Sequence, residues 1–162
     1  MNGAGQALAQ KIDALMACVC ELLEADGAGP VCWCGFYPGA EVSWDYCGEC
    51  AGGSCGMAYA RIMEAFQSSN FPNPEDSAAK CQSPLAVGLV VGALRCMPMA
   101  EDGSLPDPDA VMETSIGVIA DMTAMLEAIA CCDMGEYALG QYTPLGPQGG
   151  CVGGEWTLWV SL

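Results

Sequence analysis

Twelve cysteines are the side chains of this 162-residue chain best equipped for chemistry. Cys47, Cys50 and Cys55 follow a C-x2-C-x4-C spacing, with Cys32 and Cys34 a short way upstream. Thiolates at that density can hold a tetrahedral zinc ion. The spacing departs from a zinc ribbon, which uses two tight pairs and no third member five residues on. Disulfides formed after release from a cell, and thiols simply buried as small apolar groups, are the competing fates. Cys18 and Cys20 lie two apart in a helical pattern and cannot share a face. The adjacent Cys131 and Cys132 cannot readily bond each other, but either can pair elsewhere.

Beyond the thiols, the catalytic inventory is thin. Histidine is absent, which removes the usual general base, the commonest metal ligand and the Ser-His and Cys-His pairs. Lys11 and Lys80 are the two lysines, and neither has the Ser-x-x-Lys spacing. No P-loop or dinucleotide-binding glycine pattern is present, and no carboxylate pair stands out from ordinary surface acids. The expectation is a protein that is not an enzyme and carries no cofactor.

Four basic residues against twenty acidic ones give a formal charge of −16. Binding DNA by neutralising phosphates needs clustered Lys and Arg, so it is disfavoured as a main activity. An acidic surface keeps proteins soluble; it also suits a surface that DNA must pass without sticking. Arg61 and Arg95 are rare cations on predicted strands. Each either joins a solvated face or internal salt bridge, or pairs with a carboxylate of a neighbouring copy, with Asp102 and Glu155 as candidates.

The length predicts one domain, residues 1–162, able to bury a core without disulfides. Apolar residues make up 52% of the chain, as in folded proteins. The longest apolar run, Pro84 to Met97, is shorter than a membrane span and contains Arg95. The first residues lack the features of a secretory signal. Synthesis in a cytoplasm, with no membrane partner, is therefore expected.

Periodicity supplies the elements that must position these residues. Leu8, Ile12, Leu15, Met16, Val19, Leu22 and Leu23 predict a helix over Gln6 to Ala25, with Gly27 as its C-cap. Val31 to Tyr37 reads as a short strand and Gly56 to Gln67 as a second. Leu85 to Cys96 reads as a long central one. Asp107 to Cys132 predicts another helix, with Asp107 at its N-cap and Pro108 in its first turn. Met112, Ile116, Ile119, Met122, Leu126 and Ile129 are its predicted buried face. The ten methionines fit adaptable packing, in the core or at an interface. The segment from Thr143 reads as a glycine- and proline-rich loop that runs into a terminal strand. Trp156 and Trp159 lie three apart on that strand, and so on opposite faces. The predicted class is α+β: one mostly antiparallel sheet covered by an N-terminal helix and a second long helix.

Several stretches resemble the tail terminator (tail-completion) family of long-tailed actinobacterial phages. They are Val42-Ser43-Trp44-Asp45-Tyr46-Cys47, Pro84 to Pro98, the predicted helix ending in Cys131-Cys132, Tyr142 to Cys151, and Gly153-Gly154-Glu155-Trp156-Thr157. The resemblance spans about three quarters of the chain. It implies a small α+β domain forming a homohexameric ring on the head-proximal end of the tail tube. Such a virion structural protein stops tube growth and joins tail to head. Its implied partners are copies of itself, the major tail tube protein and the head–tail stopper or connector. Genome DNA passes through the lumen without specific binding. Localisation would be the virion neck, after assembly in the host cytoplasm. The head–tail stopper is the nearest alternative, and a cysteine-rich zinc-binding or redox module the alternative of another class. Candidate interface residues are Arg61, Arg95, Asp102, Glu155, Trp156 and Trp159. The loop from Met99 to Pro106 is either plain solvent-facing loop or a projection towards the tube or lumen.

Overall fold

Ile12, Leu15, Met16, Val19 and Leu23 recur at helical spacing and form the buried stripe of helix α1 (Gly3–Ala25). In the computed structural model, which describes residues 3–43, 56–75, 83–100 and 104–162, six further elements follow. They are β1 (Trp33–Phe36), β2 (Met57–Gln67), β3 (Leu85–Cys96), α2 (Pro108–Cys131), β4 (Tyr137–Gln148) and β5 (Cys151–Ser161). The strands form one sheet in the order β1-β2-β3-β5-β4. β1 runs parallel to β2 and every other pair is antiparallel. The fold is therefore α+β.

Both helices cover one face of the sheet. Leu15, Val19, Leu23, Met125 and Ile129 meet Val87, Leu89, Val91, Leu158 and Val160 in the main core. Burying each such side chain contributes about 1.5–3 kcal/mol. Because side chains alternate along a strand, the opposite face is built from other residues. There Met57, Tyr59, Val90, Leu94 and Cys151 make a smaller cluster, partly covered by Val42, Trp33 and Tyr37.

β3 has the predicted bounds, and Gly56 to Gln67 forms the strand β2 rather than a helix. Asp107 caps α2, accepting from the Asp109 amide, and Pro108 sits in its first turn. Four expectations are corrected. The first concerns the segment from Thr143, which up to Gln148 is not a loop but the second half of the edge strand β4, hydrogen-bonded to β5. An edge strand tolerates Pro144 and Pro147 because half of its backbone donors face away from the ladder. Gly149 and Gly150, at φ 56° and 76°, make the two-residue turn into β5.

The second concerns the buried face of α2. Its buried residues are Asp121, Ala124, Met125, Ala128 and Ile129. Met112, Ile116 and Ile119 are about 60% exposed. The third is Gly27, which does not take the left-handed cap conformation; Gly29 does, at φ 98°. Gly27 is needed for close approach instead, since a Cβ there would lie 2.7 Å from Asp121 Oδ1 and from the Leu23 carbonyl. The fourth is that α2 is, by length and composition alone, apolar enough to cross a membrane. Its C-terminal half packs on the sheet, however, and carries the salt-bridged Asp121.

Cys20 on α1 is disulfide-bonded to Cys34 on β1, with a Cα separation of 6.2 Å. Cys32 and Cys151 are disulfide-bonded as well. Oxidised sulfur is not a thiolate ligand, so Cys32 and Cys34 are withdrawn from the zinc reading. Cys47, Cys50 and Cys55 lie outside the described residues, as do Trp44, Lys80 and Asp102. Among the described residues no three His, Cys, Asp or Glu side chains converge on a metal position.

Candidate functional site

The face of the sheet away from the helices carries a polar network that three strands assemble. Tyr59 on β2 donates to Glu155 Oε1 on β5 at 2.6 Å. Arg61 Nη2 lies 3.2 Å from both Glu155 oxygens. β3 runs between these strands, and the contact is made across Gly92. A Cβ at Gly92 would lie 2.6 Å from the Tyr59 hydroxyl and 3.0 Å from Glu155 Cγ. Gly88 leaves a similar gap further along β3, where Trp159 Nε1 donates to Glu64 Oε1 at 2.7 Å. Burial, then the bond to Glu155, pushes the Tyr59 hydroxyl far above the ordinary tyrosine range. Tyr59 is thus a fixed hydrogen-bond donor at neutral pH, not a proton carrier.

Arg61 and Glu155 therefore pair within one chain, in the internal-salt-bridge alternative. Arg95 takes the same alternative and is more deeply enclosed. It is only 6% exposed and lies on the helix side of the sheet. Its Nε donates to Asp121 Oδ2 at 2.7 Å, and its Nη2 to Asp121 Oδ1 at 2.9 Å. The Gly29 and Pro30 carbonyls accept its remaining bonds at 2.8 and 2.9 Å. The Ala28 amide also donates to Asp121 at 2.8 Å. Arg95 thus fastens the α1–β1 connection to α2 and β3, and a side chain so enclosed has no surface to offer a neighbour.

Trp156 and Trp159 fall on opposite faces of β5. Trp156 packs on the main core beside Tyr142, with ring centroids 5.4 Å apart, and donates to the Met122 carbonyl at 3.0 Å. Trp159 lies on the open face with Glu64. Trp156→Ala is expected to cost about 3–5 kcal/mol, in the range for large core truncations. Trp159→Ala is expected to cost about 1 kcal/mol, the scale of a partly exposed cross-strand contact. Denaturant unfolding of both variants checks the split, and equal losses would contradict it.

Two apolar features stand out on the surface of the described residues. Met112, Ile116 and Ile119 form an exposed stripe on α2, beside a groove of about 330 Å³ lined by Val118, Pro144, Leu145 and Val152. A second apolar groove of about 220 Å³, lined by Leu8, Ala9, Ile12, Phe36 and Ile62, lies where α1 meets β1 and β2. The two patches sit at opposite flanks of the sheet, one towards β4 and one towards β1. Exposed apolar surface of this kind is available for contact with another surface. Sequence reasoning assigned the α2 stripe to the core and did not find the second groove. Comparison with protein-family models and with curated proteins finds no match to this chain.

Proposed function

We propose that this chain is a non-enzymatic virion protein of the phage tail–neck junction, a tail terminator that acts by self-association into a six-membered ring. The observation that carries this reading is the pair of unlike apolar patches at the two flanks of one sheet. Contacts between two different patches run head to tail, and such contacts close into rings when the rotation allows. The long edge strand β4 is a further surface that assembly can cover. The partners proposed from the resemblance are the major tail tube protein on one side of the ring and the stopper or connector on the other.

Removing the protein from its phage is expected to leave filled heads beside separate tails of irregular or excessive length. Electron microscopy of lysates reads this directly. Normal-length, unattached tails beside emptied heads would instead point to the stopper.

The three cations among the described residues support a lumen that does not hold DNA. Lys11 donates to the Met134 carbonyl, Arg61 is paired with Glu155 and Arg95 with Asp121. The purified protein is expected not to retain duplex DNA at about 0.1 M salt, where few phosphates could be neutralised. Retention that weakens steeply with added salt would overturn this.

A further inference from the structure

Two positions apart on α1, Cys18 and Cys20 point to opposite sides of the helix. Cys20 is already joined to β1 through Cys34. Cys18 faces the end of α2, where Cys132 follows the last helical residue. Cys132 has φ −77° and ψ 132°, so the chain has left the helix there and its side chain turns towards α1. The Cys132 thiol donates to the Ala14 carbonyl at 3.3 Å. Ala14 lies one turn before Cys18, and helical side chains lean back over the preceding turn. The Cys132 and Cys18 side chains are accordingly brought together, and both pack on the main core from its margin. Neither is fully buried, so small reagents can reach them. Cys131, the adjacent thiol, is exposed.

We propose that Cys18 and Cys132 are a dithiol that closes to a disulfide when a small-molecule disulfide such as oxidised glutathione reaches the protein. Burial, then the contact with Cys18, pushes the Cys132 thiol up to about 11, so Cys18 is the first nucleophile: its thiolate attacks one sulfur of the reagent, breaking its S–S bond and releasing one glutathione. Cys132, held beside it, then gives up its proton to solvent and attacks the Cys18 sulfur, displacing the second glutathione. The two protein thiols lose two protons and two electrons, and the reagent is reduced to two thiols. The product staples α1 to α2 on one side, while Cys20–Cys34 holds α1 to the sheet on the other. It closes a loop that takes in most of the chain, the case in which a cross-link constrains the unfolded state most. A helical layer fixed on both sides suits a protein that leaves a reducing cytoplasm.

The test uses the full-length native protein treated with oxidised glutathione. Remaining thiols are then alkylated and the peptides mapped by mass spectrometry. The expected product is a Cys18–Cys132 link, with Cys131 alkylated or glutathionylated. The unfolding midpoint should rise by about 5 °C or more on oxidation. The C131A variant should keep both effects, and C18A should lose both. Wild-type mapping decides by itself if a variant fails to fold. Cys18 and Cys132 both remaining alkylatable, stable glutathione adducts on both, or Cys132 linked elsewhere would each overturn the proposal.

Discussion

Asp121→Ala is expected to lower the stability of the folded chain by about 3–5 kcal/mol, the cost of leaving one member of a buried ion pair uncompensated. The Arg95 and Asp121 side chains are only 7% and 4% exposed, so the guanidinium would lose its counter-charge in a largely desolvated position. The Gly29 and Pro30 carbonyls would still accept from Arg95, but neutral acceptors do not balance its charge. The Ala28 amide would lose its acceptor in the same stroke. Chemical denaturation measures the loss. The double variant Arg95→Met with Asp121→Leu should recover most of it, because replacing both charges with apolar groups removes the desolvation penalty. A loss below about 1 kcal/mol for Asp121→Ala would mean that the pair behaves as a solvated surface bridge.

A second large effect is expected on the exposed side of α2, with the opposite signature. Replacing Met112, Ile116 and Ile119 together by Gln should leave monomer stability within about 0.5 kcal/mol of wild type, since all three side chains are already exposed. Assembly should fall by about a hundredfold or more, because a few apolar anchors carry most of the energy of an interface. Unfolding curves and sedimentation at a series of concentrations separate the two quantities. Loss of monomer stability would place the stripe in the core after all, and unchanged assembly would remove it from the interface.

The contrast within α2 shows where sequence reading succeeds and stops. Both ends of the helix were legible, because Asp107, Pro108 and the apolar repeat carry local information. The buried face was not. Apolar residues line several sides of α2, so periodicity alone does not say which side meets the sheet. β3 was legible because a β-branched, apolar run of its length suits a strand buried on both faces. β4 was hidden behind Gly140, Pro144, Gly146 and Pro147, which read as loop unless the strand is known to lie at an edge. The open-face network had one signal, the glycines Gly88 and Gly92 four apart on a central strand. Only the strand order turns them into gaps across which β2 and β5 side chains meet. Arg95 could be singled out as a rare cation, but its partner lies on an element whose placement no local pattern gives.

The most direct test of the ring is cryo-electron microscopy of the neck of the phage that encodes this chain. The expected density is a closed ring of six copies on the head-proximal end of the tail tube. In it, the α2 stripe should be covered by a neighbouring copy or by the tube. A twelve-membered ring, an isolated copy, or a virion neck without this chain would contradict the account.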